Sequence, residues 1–113
     1  MKSKLLTRGL KDKFPALHTN DKKRPDEIKV IAKFYYPYSS WTWYAIEGEP
    51  LTGADGKEED FLMFGLVWGT DKHLANFRLS ELESINIKGA KILRDTDFET
   101  GKYTLSEVRE KRL

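Results

Sequence analysis

From residue 28 onward, apolar residues alternate with more polar ones at the two-residue period of a β-strand. The first such run holds Ile28, Val30, Ala32, Phe34 and Tyr36. Its period predicts a strand over residues 28–36 with these side chains toward the core. Pro37, Ser39 and Ser40 then mark a turn, and a second strand is predicted over residues 41–48.

Residues 61–68 form the most apolar run of the chain and predict a central strand that is buried on both faces. Gly65 lies inside this run and indicates a bulge or a close approach to an aromatic neighbour. The preceding residues 49–60 are polar and acidic, and they predict a hairpin loop. Shorter strands are predicted over residues 75–79 and 90–94.

Helical signals stand near both ends of the chain. Apolar residues at helical spacing predict a short helix over residues 4–13, and Pro15 forbids its continuation. Residues 80–83 and 104–107 each have the spacing of a capping box, so each predicts the start of a helix. Residues 18–27 are polar and predict a loop.

This order of elements predicts an α+β fold in a single domain that spans residues 1–113. Consecutive strands with short links favour an antiparallel sheet, here of about four or five strands. We expect short helices at both termini to pack on one face of that sheet.

Composition narrows the classes of protein that the chain can belong to. It has no cysteine, which excludes disulfides and thiolate metal sites. Its first six residues lack the long apolar stretch of a signal peptide, and no apolar run reaches the roughly 20 residues that span a bilayer. We therefore expect a soluble, cytoplasmic protein that makes no contact with a membrane.

Charge is distributed unevenly, although the net charge is only +2. Residues 1–33 hold ten Lys or Arg and four Asp or Glu, whereas residues 34–70 hold one Lys and six acidic residues. Such asymmetry can produce a bipolar surface that steers charged partners. The alternative is that solvated helices occupy the ends and acidic loops occupy the middle.

Four segments of the chain carry a resemblance to a known family: Trp41-Thr42-Trp43-Tyr44, Phe64-Gly65-Leu66-Val67, Phe77-Arg78-Leu79-Ser80-Glu81-Leu82-Glu83 and Thr104-Leu105-Ser106-Glu107-Val108. Together with the leucine-rich start and residues 15–17, they resemble the small bacterial family called domain of unknown function 2958. The resemblance covers nearly the whole chain, and this copy differs in its unusually basic first third.

The resemblance implies a biological context more than a chemistry. Such proteins look like products of phages, plasmids and conjugative elements, often in company with antirestriction genes. The family has no assigned catalytic residues. We therefore expect a non-enzymatic accessory protein that acts in a bacterial host cell, where it binds and inhibits a host defence nuclease of the kind that anti-CRISPR or antirestriction proteins target.

The middle of the chain supplies the candidate contacts for that protein partner. Seven of the fourteen aromatic residues fall between residues 34 and 44, and acidic residues follow them. Exposed rings can anchor an interface, and carboxylates can imitate phosphate spacing in a basic groove. The expected contacts are Tyr35, Tyr38, Tyr44, Glu47, Glu49, Asp55, Glu58, Glu59 and Asp60. The alternative is that the tryptophans fill the core and the acidic run is a solvated hairpin tip.

Nucleic-acid binding is the second functional interpretation. A basic stripe with an exposed ring could contact phosphates and stack bases. Its candidate residues are Lys22, Lys23, Arg24, Lys29 and Lys33. The small net charge and the acidic middle of the chain count against this interpretation, because both weaken attraction to phosphate.

Catalysis is the third interpretation, and the sequence offers little for it. His18 and His73 lie far apart, and a two-histidine metal site would need further carboxylates. Residues 25–29 (Pro-Asp-Glu-Ile-Lys) superficially resemble the carboxylate and lysine element of Mg²⁺-dependent nucleases. That element needs a second Asp at the end of another strand, whereas Asp12 and Asp21 stand upstream. We expect no catalytic, cofactor or metal site.

Overall fold

The computed structural model describes residues 5–113, and its main element is a five-stranded antiparallel sheet. The strands of these residues are β1 (Ala32–Tyr35), β2 (Thr42–Thr52), β3 (Glu58–Trp68), β4 (Lys72–Arg78), β5 (Asn86–Ile87), β6 (Ala90–Lys91) and β7 (Leu93–Arg94). The main sheet has the order β4-β3-β2-β1-β7, and β5 pairs with β6 in a separate hairpin. The predicted α+β class and antiparallel sheet are confirmed.

The long hairpin of β2 and β3 forms the centre of the sheet. A bulge at Ile46 interrupts the pairing, since Ala45 pairs with Gly65 and Glu47 pairs with Phe64. The strands reach as far as Thr52 and Glu58, so the prediction of a loop over residues 49–60 is wrong. Polar residues can continue a ladder because the backbone makes its hydrogen bonds while the side chains stay in water. The turn itself takes only residues 53–57.

Three short α-helices accompany the sheet within the described residues: α1 (Arg8–Lys11), α2 (Leu79–Ser84) and α3 (Leu105–Glu110). A 3₁₀ helix, Pro25–Glu27, lies in the predicted loop over residues 18–27. The α3 helix begins as predicted, because the Thr104 hydroxyl accepts a hydrogen bond from the backbone N–H of Glu107. No helix among residues 5–113 is long and apolar enough to cross a membrane.

The other two helices differ from their predicted bounds. The α1 helix covers four residues and not the whole of 4–13, of which residue 4 lies outside the described residues. The α2 helix begins one residue before the predicted capping box at 80–83, because Glu81 accepts the backbone N–H of Arg78. Asp60 on β3 also accepts the backbone N–H of Ser80 at 3.1 Å, and thereby satisfies a free donor of the first turn.

Two hydrophobic cores lie on the two faces of the sheet. The first core consists of Leu5, Leu6, Ala32, Phe34, Trp43, Ala45, Phe61, Met63, Val67, Phe77, Leu79, Leu82 and Ile92. The second core consists of Ile28, Val30, Tyr44, Ile46, Leu66, Leu105 and Val108. Neighbouring residues of β2 and β3 alternate between the cores, as strand geometry requires.

The terminal helices pack on opposite faces, which corrects the expectation that they share one face. Leu10 of α1 packs against the first core, whereas Leu105 and Val108 of α3 belong to the second core. The sheet is apolar on both sides, and each side has to be covered. The N-terminal segment and α2 cover one side, and α3 covers the other.

The predicted strand over residues 28–36 is also shorter and less regular than expected. Only β1 forms within it, and residue 29 adds an isolated bridge to Thr104. Ile28 and Val30 enter the second core, while Ala32 and Phe34 enter the first. The chain therefore changes faces at residue 31, which a simple two-residue period cannot represent.

Gly65 lies where the backbone of the neighbouring strand leaves no room for a side chain. A Cβ atom at this position would overlap the backbone oxygen of Tyr44 on the neighbouring strand. We expect Gly65→Ala to lower the free energy of unfolding by about 2–3 kcal/mol, because neither backbone can yield without breaking the ladder. Urea denaturation measures this loss.

The matched control is Gly9→Ala in α1, where a Cβ atom would meet no other atom within 4 Å. We expect this change to leave stability the same or raise it by up to about 1 kcal/mol, since alanine favours helix. Equal effects of the two substitutions would contradict the packing argument.

Candidate functional site

An almost entirely apolar groove opens between the β1–β2 turn and the β5–β6 hairpin. We call it the aromatic groove, and its volume is about 460 Å³. The residues that line it are Tyr36, Ser39, Trp41, Trp43, Ile85, Ile87 and Ile92. Its dimensions fall in the range that receives side chains or small ligands.

Two tryptophans, Trp41 and Trp43, line the aromatic groove. Trp41 and Trp43 stand two residues apart, so their rings project from the same face of the strand, with centroids 5.9 Å apart. Trp43 is buried in the first core, whereas Trp41 is 40% exposed. The indole of Trp41 packs on Gly69, where any Cβ atom would overlap the ring. The core therefore fixes the position of an exposed aromatic surface.

The β5–β6 hairpin contributes Ile87 to the lining of the groove. Lys88 and Gly89 take positive φ values of 53° and 88° at its turn, which matches the tight turns of two-residue hairpins. This turn leaves the side chain of Ile87 56% exposed beside the groove. Tyr38 is 80% exposed, and its ring contacts that of Tyr36 edge to face, with centroids 6.0 Å apart.

Exposed apolar side chains concentrate at the aromatic groove. Five large ones are exposed among residues 5–113, and three of them (Tyr38, Trp41 and Ile87) lie in or beside it. Contiguous exposed apolar surface with tryptophan and tyrosine is typical of sites that bind a partner. The groove is therefore the candidate functional site.

The three tyrosines that the sequence proposed as contacts have different positions. Tyr38 is exposed as expected, and Tyr35 is half-buried on β1. Tyr44 is fully buried in the second core, so the expectation that it faces a partner is wrong. Its hydroxyl donates to the backbone oxygen of Leu113 at 3.3 Å. The polar tip is thus satisfied within the chain.

Glu47 is only 2% exposed, which corrects the expectation that it contacts a partner. Its two carboxylate oxygens accept the backbone N–H groups of His18 and Asn20, each at 2.8 Å. His18 has a positive φ of 71°, which helps successive N–H groups to converge on one anion. Glu49 accepts the N–H of Leu17 at 3.2 Å. These two acids anchor residues 17–20 to the sheet.

The acidic residues of the hairpin are also partly occupied by contacts within the chain. Glu58 pairs with Lys11, and the carboxylate of Asp60 accepts the backbone N–H and hydroxyl of Ser80. Asp55 and Glu59 are exposed and form no ion pair among residues 5–113. Asp55 accepts the backbone N–H of Lys57 at 3.0 Å, so the predicted acidic surface is smaller than expected.

The environment of Asp60 lowers the pKa of its carboxyl. Burial raises that pKa, but hydrogen bonds from Ser80 and Phe61 and the charge of Arg78 outweigh the effect. The stabilisation that Asp60 gives to the start of α2 is therefore complete above the ordinary aspartate pKa, and it is lost as the pH falls through the lowered value.

The candidate basic stripe is only partly free. Arg24 lies 3.4 Å from Asp26 and 3.2 Å from Glu27. The Lys33 ammonium lies 3.6 Å from Asp95, and its side chain is only 17% exposed, so the expectation of a free lysine there is wrong. Of the five candidate cations, only Lys22, Lys23 and Lys29 are exposed and form no ion pair with a described residue.

The arrangement also bears on the catalytic interpretation. Asp26 and Glu27 face Arg24 and are not drawn into a cleft with a second strand-end aspartate. His18 and His73 are exposed, and each contacts a single aspartate. Within residues 5–113, no three His, Asp or Glu side chains stand close enough together to hold a metal ion.

Sequence reasoning missed the contribution of Ile85 and Ile87 to the aromatic groove. Ile85 and Ile87 are two residues apart and precede a Lys-Gly turn, which is a recognisable hairpin signal.

Sequence reasoning also missed a basic cluster at Trp68, where Lys72 and Arg112 lie 4.6 Å and 4.4 Å from the ring centroid. That cluster joins the β3–β4 turn to the C-terminus, and sequence spacing does not reveal it.

Comparison with known proteins gives a single finding. The model of a family described as "Protein of unknown function (DUF2958)" matches residues 5–111. No curated protein and no solved structure matches the chain.

Burial of Tyr44 generates a prediction at alkaline pH. Burial raises its pKa to about 12, while Arg112 lowers it and Asp95 raises it. The neutral phenol is favoured in the folded state, so its stabilisation is complete below the ordinary pKa of about 10 and is lost as the pH rises toward 12. In an ultraviolet titration of tyrosinate, we expect Tyr44→Phe to remove a late phase near pH 12. An unchanged late phase would contradict the assignment.

The buried carboxylate of Glu47 generates a second prediction. We expect Glu47→Ala to lower the free energy of unfolding by about 3 kcal/mol, because two backbone N–H groups lose a charged acceptor. Glu59→Ala is the matched control on the same hairpin, and we expect it to change stability by less than about 0.5 kcal/mol. Thermal and urea unfolding measure both, and similar losses in the two variants would refute the anchoring role.

Proposed function

The chain belongs to the DUF2958 family, described as proteins of unknown function, and from this premise we propose that it is a non-enzymatic accessory protein of a phage or plasmid that binds a host protein. The aromatic groove is the observation that carries the proposal. The resemblance of the sequence to products of mobile elements supports the context.

The groove suits a protein partner because it offers fixed aromatic anchors. Trp41 rests on Gly69 and beside Trp43, so little conformational entropy is lost when a partner covers it. Removing Trp41, Tyr38 and Ile87 from water supplies the apolar burial that drives association. Tyrosine and tryptophan in such positions commonly dominate interface energetics.

The most concrete form of the proposal is inhibition of a host defence nuclease, as anti-CRISPR or antirestriction proteins do. Of the acidic residues that could imitate phosphates, Glu47 is buried and Glu58 pairs with Lys11. This favours an inhibitor that holds the enzyme inactive through apolar contacts over one that fills its nucleic-acid groove.

Nucleic-acid binding is the alternative, and the geometry gives it less support. Arg24 and Lys33 pair with carboxylates of the chain. A phosphate backbone would have to compete with these acids for both cations. A gel shift that weakens steeply with added salt would mark such binding, because counterions are released.

The test uses two substitutions of exposed aliphatic residues on strands. Ile87 is 56% exposed at the aromatic groove, and Leu74 is 48% exposed on β4 outside it. We expect the protein to co-purify with a defence nuclease and to block its cleavage of DNA. Ile87→Asp should weaken both effects by at least about tenfold, because a partner that covers the groove would strip the new carboxylate of its water.

Leu74→Asp should leave inhibition unchanged, and both variants should unfold at the wild-type denaturant concentration. The proposal fails if no nuclease complex forms at micromolar protein, or if Leu74→Asp and Ile87→Asp reduce inhibition equally.

A further inference from the structure

A second depression adjoins the aromatic groove on the far side of Ile92. It has a volume of about 440 Å³, and we call it the cationic cleft because Lys91 and Arg94 line it. Tyr35 and Leu93 are among its other lining residues. Ile92 lines both depressions, so they adjoin at the segment that links β6 to β7.

Arg94 is a cation of the cleft that pairs with no carboxylate among the described residues. Its Nε atom is buried and has no hydrogen-bond partner among the described residues. Its guanidinium forms no ion pair within residues 5–113, and the neighbouring Asp95 pairs with Lys33 instead. Because Nε is closed to solvent, a carboxylate in the cleft would meet the terminal nitrogens of the guanidinium and neutralise its unpaired charge.

The charges around the two depressions are predominantly positive. Residues 85–94 contain Lys88, Lys91 and Arg94 and no acidic residue. Lys88 and Lys91 are exposed, and neither forms an ion pair in the described part of the chain. Glu83 is the one acidic side chain that lines the cationic cleft, and it pairs with neither cation.

We infer that the aromatic groove and the cationic cleft together bind one segment of a partner protein that carries apolar side chains next to a carboxylate. The apolar side chains enter the groove, and the carboxylate accepts hydrogen bonds from the guanidinium of Arg94 and pairs with Lys91. An Arg guanidinium and a carboxylate match in planar geometry, which makes the contact directional. This inference rests on the proposed function and specifies the chemistry of its partner.

A single-stranded nucleic acid is the competing occupant, since rings and cations also bind bases and phosphates. The walls of the groove favour a protein segment. Ile85, Ile87 and Ile92 also line the groove, and these aliphatic side chains offer no flat face for stacking. The ring of Trp41 is itself packed on Gly69.

The test selects ligands from a displayed library of random peptides on the wild-type protein. We expect enriched peptides to combine Leu, Ile, Phe or Trp with an adjacent Asp or Glu. In fluorescence anisotropy, replacing that acid with its amide should weaken binding to the wild type by about tenfold. Arg94→Gln and Lys91→Gln should each reduce the preference for the acid, because each removes part of the positive charge.

The control variant is Lys111→Gln, which removes an exposed charge outside both depressions and should keep the full preference. Lys91 is exposed, so its variant reports on binding even if Arg94→Gln disturbs the fold. The inference is overturned if no peptide is enriched, if acid and amide peptides bind equally, or if a single-stranded oligonucleotide displaces the peptide.

These outcomes separate the inference from the proposed function. Enriched peptides that lack acids but lose binding in Ile87→Asp would overturn the inference and leave the groove as a protein-binding site. Acid-dependent peptide binding without any nuclease complex would support the inference and overturn nuclease inhibition as the function.

Discussion

Close contact between the two long central strands is the constraint on which the rest of the structure depends. Gly65 lets the backbone of β3 approach Tyr44 on β2, and the paired strands then present apolar side chains on both faces. A sheet that is apolar on both sides has to be covered on both. The short terminal segments divide that task, because neither is long enough to perform it alone. The two-core arrangement follows from this division.

The candidate site lies at the edge of the first core. Trp43 completes that core, and Trp41, two residues earlier on the same face, extends beyond it. The β5–β6 hairpin adds Ile87 to the residues that line the groove. Rigid core packing thus supports the exposed rings of the candidate site. Four of the acidic residues expected to contact a partner instead make contacts within the chain: Glu47, Glu49, Glu58 and Asp60. Glu47 shows this change of role most clearly, because its buried carboxylate binds the backbone N–H groups of His18 and Asn20.

The sequence predicted those features that depend on local signals. The alternation around residues 41–48 and the capping box of Thr104 and Glu107 both gave the correct element. It failed where a distant partner decides the outcome. Glu47 was predicted to be a surface acid, because the N–H groups that bind its carboxylate oxygens are 27 and 29 residues away in the sequence. Lys33 looked free because nothing in the local sequence indicates its contact with Asp95. The groove was missed for the same reason, since its two walls come from separate parts of the chain.

The β5–β6 hairpin has a consequence for how this family can diversify. Its two strands pair only with each other among the described strands, and its turn is closed by residues with positive φ. Ile87 therefore contributes to the groove without belonging to either core. Substitutions at the tip can alter the lining of the groove while the two cores keep their packing. The shape of the groove and the stability of the sheet can therefore vary independently of each other.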